Sequence, residues 1–294
     1  MPTGHRVVTP SLPGAAPQVG LDTGRGGLGA TLAGMAATAG PHESAHDTAP
    51  DTAPDPVGDP VRDGAGQGGL PPEAGDAAYV EAVRELLGAL AYGQLRAFSA
   101  LARDSELAPT LPHRSELARL AAHELGRYTV LADRLRSLGV EPEDAMAPFV
   151  AAVDEFHERT KASTWLESLV KAYVGESIAQ DFYREIATYV DADTRQLVHQ
   201  VLEDNGEADF VVSVVREAIA HDPRVAGRLA LWGRRLVGEA ITQAQRVGVE
   251  RDPLASLLVG TPGRAGADLA ELGRMFARLT DEHTRRMGRL GLSA

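Results

Sequence analysis

The sequence predicts an all-α protein built around a four-helix bundle, and three observations support this fold class. Aromatic residues make up only 5 % of the 294 residues, whereas β-sandwiches and barrels rely on aromatic and β-branched side chains. From Asp76 onward, apolar residues recur with the 3.6-residue period of amphipathic helices. The long predicted helices form two pairs that are separated by a longer connection, which is a known bundle topology.

The individual helices follow from apolar stripes and from end signals. Asp76 is suited to cap the first helix, Gly139 ends the second, and Pro223 opens the C-terminal helices. A connection rich in proline and acidic residues contains one short helix. The predicted helical ranges are 77–103, 112–138, 147–160, 164–190, 193–220, 224–247 and 266–290.

The first 75 residues are predicted to form a disordered tail. They contain 15 of the 31 glycines and 11 of the 18 prolines, and such a segment buries too little apolar surface to offset the entropy lost on ordering. The run GRGGLG at 24–29 lacks the strand and the helix that flank a phosphate-binding loop. We therefore predict a tail over 1–75, a bundle over 76–222 and additional C-terminal helices packed on it over 223–294.

Composition and charge exclude several classes of function. Because cysteine is absent, the chain has no disulfide scaffold, thiol nucleophile, cysteine-ligated zinc or iron–sulfur cluster. The formal net charge of −12 disfavours generic nucleic-acid binding, since phosphate contacts supply most of that affinity. No apolar run reaches the ~20 residues of a transmembrane helix and no secretory signal opens the chain, so we expect a cytoplasmic protein without a membrane partner.

Charge is distributed unevenly along the chain. Residues 76–222 carry 14 basic and 26 acidic residues, whereas residues 223–294 carry 12 arginines and seven acidic residues. We expect the basic region to dock on the acidic one, with Asp181 and Glu185 pairing with Arg184 or with C-terminal arginines. The alternative is an anionic partner such as RNA. The arginines open to that alternative are Arg228, Arg234 and Arg235.

Polar side chains lie within the apolar stripe of each of four long predicted helices, which cover 77–103, 112–138, 164–190 and 193–220. Residues three apart share a helix face, so the pairs on the second and fourth helices are both expected to point inward. Buried carboxylates are costly unless cations or protons neutralise them, and carboxylate bundles use two metal ions for this purpose. The polar residues are Gln94, Glu124, Arg127, Glu176, Asp204 and Glu207.

Five stretches carry a resemblance to a known family, and they occur in order with the expected spacing. They are AYGQLRAF (91–98), HELGRY (123–128), WLESLVKAYVGESIAQDFYREIA (165–187), EDNGEADF (203–210) and GRLALWGRRLVGEAITQAQRV (227–247). Through them the sequence resembles the actinobacterial ferritin-like proteins related to the tRNA 2-methylthio-N6-isopentenyladenosine hydroxylase. The resemblance implies a ferritin-like bundle and a non-haem di-iron oxygenase that hydroxylates an organic substrate, such as a modified tRNA base.

The resemblance also implies a set of iron ligands, and this sequence departs from it. The family pattern is one Glu, a Glu-x-x-His pair, a further Glu, and an acidic-x-x-His pair. Gln94 stands in place of the first Glu, Arg127 in place of the first His and Glu207 in place of the second His. The retained carboxylates are Glu124, Glu176 and Asp204.

Arg127 is expected to take the place and the charge of a lost metal ion. A guanidinium keeps its proton, cannot ligate a metal, and has five donors that suit carboxylates. We therefore expect Arg127 to pair with a carboxylate of the retained set, in a buried polar network that fixes helix register. The expected cofactor is none, or one hard cation (Mg²⁺, Ca²⁺ or Mn²⁺). The ligands of such a cation would be Glu176, Asp204 and Glu207.

These expectations lead to two main hypotheses about function, beside a third, which is redox-inactive metal storage or sensing. The first is a bundle protein with an altered, metal-impaired site, which acts through binding or assembly. Under this hypothesis the protein is either a monomer or a homo-oligomer. The second is the di-iron oxygenase, which would need iron and an RNA partner. His123 or His199 would then have to replace the missing histidine ligands. Whether the chain is an enzyme stays open. Four other histidines are expected to be capping or solvated residues near helix ends; these are His113, His157, His221 and His283.

Overall fold

A computed structural model describes residues 76–204, 206–261, 264 and 266–294, and the all-α fold is confirmed over these residues. In chain order the helices are α1 (Ala77–Asp104), α2 (Leu111–Ser137), α3 (Pro142–Met146), α4 (Val150–Arg159), α5 (Trp165–Val170), α6 (Glu176–Ala187), α7 (Ala192–Val201), α8 (Glu207–His221), α9 (Arg224–Glu250), α10 (Asp252–Val259) and α11 (Leu269–Leu290). Within the described residues, no helix has the length and apolar character needed to cross a membrane. The predicted tail lies outside them.

The ends of the first two helices follow the predicted signals. The Asp76 carboxylate accepts a hydrogen bond from the backbone N–H of Ala78 at 2.9 Å and so caps α1. Helix α2 ends at Ser137, and Gly139 follows with a φ of +75°, which glycine adopts without steric cost. Local side-chain and backbone preferences therefore set these boundaries.

The long helix predicted over 164–190 is not one regular helix. It consists of α5, a π-helical turn over Lys171–Gly175, and α6, which ends at Ala187. A π-helical turn accommodates an extra residue, so it changes which side chains point inward after it. All five residues of the turn are buried, and Glu176 follows it as the first residue of α6.

The prediction of one continuous helix over 193–220 is wrong. The chain leaves the helical conformation after α7, and Gly206 has a φ of +85° immediately before α8 begins. The Asp204 carboxylate accepts a hydrogen bond from the N–H of Gly206 at 3.0 Å. Asp204 therefore lies in an exposed link and does not share a helix face with Glu207, whose side chain is outside the described part.

The C-terminal helices contribute to the same core as the preceding helices. Leu229 and Leu236 of α9 are fully buried against α5, the π-helical turn and α8. Helix α10, which was not predicted, packs on α1. There the buried Glu85 accepts hydrogen bonds from the guanidinium of Arg251 and from the N–H of Leu254, at 3.1 Å in the latter case. This carboxylate caps α10 and anchors it to α1.

Candidate functional site

A buried ion pair lies in the middle of α2. The Glu124 side chain is 2 % exposed and the Arg127 side chain 11 %, and their Oε1 and Nη1 atoms are 2.5 Å apart. The second terminal nitrogen of Arg127 donates to the backbone carbonyl of Glu203. Burial raises the pKa of Glu124, and the adjacent guanidinium opposes this increase. Arg127 therefore points inward, and its carboxylate partner is Glu124.

A second buried cation, which the sequence analysis missed, lies on the π-helical turn. Lys171 is 4 % exposed, and its ammonium group lies 5.6 Å from the centre of the Phe156 ring. Burial lowers the pKa of Lys171 to about 8, while the carboxylates of Glu176 and Asp104 limit the decrease. Its neighbours Val170 and Ala172 are buried as well, so this segment is enclosed on all sides, which an apolar stripe on one helix face does not predict. Glu176 thus interacts with a fixed cation.

The predicted positions Gln94 and Glu176 meet at a cavity of about 210 Å³, whose wall is formed by α1, α4, α6, α9, α10 and α11. The wall is predominantly apolar. Gln94 is 6 % exposed and Gln243, on α9, is 8 % exposed, and both line the cavity. Neither side-chain oxygen has a hydrogen-bond partner within the described part of the chain. The two amides are therefore buried polar groups at the surface of an apolar space.

Arg127 and Asp204 line a separate polar cleft of about 300 Å³. Three arginines of α11 also line it, and Arg286 among them donates two hydrogen bonds to the carboxylate of Asp181, at 2.5 and 2.8 Å. Five of the six predicted positions are consequently distributed over two spaces and one ion pair. The side chain of Glu207 is outside the described residues, so its prediction is not tested.

The expected pairing of acidic residues on α6 with arginines is confirmed. Arg184 lies 2.9 Å from Asp181 on the same helix, and Arg278 of α11 lies 2.7 Å from Glu185. The arginines considered for an anionic partner also contact the protein. Arg228 lies 3.9 Å from the carboxylate of Glu167, Arg234 donates to the carbonyl of Ser293 at 3.3 Å, and Arg235 donates to the carbonyl of Arg159 at 2.6 Å.

The histidines divide into exposed and buried groups. His123 and His199, proposed as substitute ligands, are exposed on α2 and α7. His157 and His283 are not the solvated residues that we predicted, because burial lowers their pKa values to about 3 and about 4. The described residues contain no group of three or more histidine, aspartate or glutamate side chains that could hold a metal ion. That statement does not extend to Glu207.

Comparison with known proteins identifies the fold family. A family profile with the description "Ferritin-like domain, actinomycetes" matches residues 77–261, which include helices α1 to α10. A search of curated proteins gives no match to the sequence. Because the matched region covers more than half of the chain, this protein belongs to the actinomycete family of ferritin-like domains.

Proposed function

We propose that this ferritin-like domain acts through binding and that its centre does not hold the two iron ions implied by the resemblance to the tRNA hydroxylase. The observation that carries the proposal is the 2.5 Å contact between Arg127 and Glu124. A guanidinium remains charged, cannot donate an electron pair to a metal, and engages the carboxylate that iron would need. The resemblance is then one of ancestry and bundle architecture, without oxygen chemistry.

The charge balance supports the proposal. Four carboxylates with two neutral imidazoles carry about −4, which compensates two divalent ions. In this chain Glu124 is buried beside Arg127, and the half-buried Glu176 interacts with Lys171, so these two carboxylates and two cations balance before any metal binds. Two divalent ions would then leave an excess of about +4 in a largely buried environment. Fixed cations therefore supply part of the charge that metal ions would supply.

Iron content tests the proposal directly. We would express the protein with ferrous iron supplied, measure iron per chain by mass spectrometry, and record the near-ultraviolet absorption of an oxo-bridged pair. The expected result is iron far below one ion per chain and no such absorption. Two ions per chain would contradict the proposal and support the oxygenase alternative. One Mg²⁺, Ca²⁺ or Mn²⁺ per chain, lost on Glu176→Gln, would support the single-cation site in its place.

A gain-of-binding variant tests the mapping of the ligand positions. The triple substitution Gln94→Glu, Arg127→His and Glu207→His restores the family ligand set and is expected to bind iron. The matched control replaces Arg127→His by Arg127→Lys and keeps the other two changes, so that a cation remains. The control is expected to bind no iron. If the triple variant has the native circular dichroism spectrum and still binds no iron, the mapping is wrong.

A further inference from the structure

We propose that the cavity beside Gln94 binds a small, uncharged and largely apolar molecule that carries one hydrogen-bond donor, such as a hydroxyl group. This inference rests on the proposed binding function, because it identifies the site and the chemical class of the ligand. The site is built from helices of both the bundle and the C-terminal region, and nothing in the family match assigns a role to it.

The size and the wall of the cavity define the apolar part of the ligand. An apolar cavity of about 150 Å³ in another protein stays dry and holds benzene. A cavity of about 210 Å³ is therefore large enough for a two-ring molecule or a short hydrocarbon chain. Several large apolar side chains of its wall are only half-buried, which leaves apolar surface for a ligand to cover. They are Phe156, Phe182, Tyr183, Ile241, Val247 and Phe276.

The two buried amides define the polar part of the ligand. Gln94 on α1 and Gln243 on α9 both line the cavity, and the side-chain oxygen of each is buried without a partner in the described residues. Buried polar atoms in native proteins are normally hydrogen-bonded, so an unpartnered amide oxygen beside an apolar space is a position where a donor would be stabilised. Both oxygens lie just beneath the cavity surface, so the Gln94 or Gln243 side chain has to rotate for a ligand hydroxyl or N–H to reach its oxygen.

The charges of the wall exclude an anionic ligand. Among the described residues that line the cavity there is no lysine or arginine, and Glu176 is the acidic residue that lines it. A carboxylate would therefore enter an apolar space next to another carboxylate, and the nearby Lys171 ammonium already compensates Glu176. His157 also lines the cavity, and its low pKa keeps it neutral at pH 7. An uncharged ligand is the class that fits this wall.

The experiment uses 1-naphthol as the probe and titrates it into the full-length protein by fluorescence and calorimetry. Naphthalene, which lacks the donor, and 1-naphthoate, which is an anion, are the two reference probes. We expect 1-naphthol to bind at least about tenfold more tightly than either one. In Gln94→Leu, which keeps the size but removes the acceptor, this preference for 1-naphthol over naphthalene is expected to fall.

A glycine on α1 provides a blocking variant with a matched control. Gly93 lines the cavity, and a Cβ atom added there would meet nothing within 4 Å, so Gly93→Leu is expected to fill the cavity without disrupting the fold. Gly126 on α2 is an equally open helical position that does not line the cavity. We expect 1-naphthol binding to be lost in Gly93→Leu and retained in Gly126→Leu.

Three results would overturn the inference. They are absence of 1-naphthol binding, equal binding of 1-naphthol and naphthalene, and unchanged binding in Gly93→Leu. Absence of binding with iron far below one ion per chain would leave the proposed function intact and remove this ligand class. Two iron ions per chain would instead contradict the proposed function, whatever the naphthol titration shows. The two failures are therefore distinguishable.

Discussion

The two halves of α1 have different surroundings, although they belong to one continuous helix. In the first half, Gly88 lies so close to α3 that an added Cβ atom would overlap the carbonyl group of Ala145, and the neighbouring leucines are fully buried. In the second half, Gly93 and Gln94 border the cavity, and a Cβ on Gly93 would meet nothing within 4 Å. An apolar stripe thus shows which face of a helix points inward, but not whether the space behind it is filled.

The largest expected effect concerns the buried ion pair on α2, the helix that packs along α1. Arg127→Leu leaves the Glu124 carboxylate buried without its cation, and we expect the free energy of unfolding in urea to fall by about 3–5 kcal/mol. Arg136 is the control, because it lies on the same helix, is 50 % exposed and pairs with the exposed Asp133. Arg136→Leu is expected to cost less than about 1 kcal/mol. Similar small losses in both variants would show that the Arg127 pair has no special energetic role.

The next effect tests the close contact in the first half of α1. Gly88→Ala places a methyl group against the backbone of Ala145, which cannot move as a flexible side chain would. We expect α1 and α3 to separate slightly, at a cost of about 1–3 kcal/mol, the usual range for overpacking. Urea denaturation of the variant and the wild type measures this cost. Unchanged stability would mean that the first half is no more tightly packed than the second.

A smaller effect depends on pH and arises from His283 on α11. Burial and the neighbouring Arg286 lower the pKa of this histidine to about 4, whereas in the unfolded chain it titrates near 6.5. Between these values the unfolded state binds more protons, so stability falls as pH falls from about 6.5 towards 4. Allowing for partial solvent screening, we expect a loss of about 1 kcal/mol at pH 5 relative to pH 7.

His283→Gln identifies the source of this pH dependence. The substitution removes the titrating ring, so the difference in unfolding free energy between pH 7 and pH 5 is expected to shrink by that amount. Equal slopes for the variant and the wild type would contradict the prediction. His157, whose pKa is also low, supplies a similar dependence at the cavity wall and is left unchanged in this comparison.

The same contrast explains what could be predicted from the sequence. Glu124 and Arg127 are three residues apart within a regular helix, so their common face followed from helix geometry, and Glu124 was one of the carboxylates expected to pair with Arg127. Lys171 escaped prediction because the π-helical turn that contains it is buried on every side, whereas an amphipathic pattern indicates only one buried face. Asp204 was misplaced because the left-handed conformation of Gly206 interrupts what looks like a continuous amphipathic stripe.

The cavity could not be predicted for a different reason. Its volume depends on how closely the C-terminal helices approach α1 and α6, and helix periodicity contains no information about that distance. Helix α10, which lines the cavity, is only eight residues long and too short for its period to be recognised. Gln94 was identified as unusual, but its role as a cavity-lining amide required the packing of α9 opposite it.

The smallest effect, and the only gain in stability, is expected in the open half of α1. Glycine in a helix interior costs about 0.5–1 kcal/mol relative to alanine, so Gly93→Ala should stabilise by this amount if its methyl group enters open space. Gly126→Ala, at an exposed position of α2, measures the gain from helix propensity alone. Equal gains in urea denaturation would support an open cavity behind Gly93. A loss at Gly93 with a gain at Gly126 would mean that both halves of α1 are closed, and the difference between them would disappear.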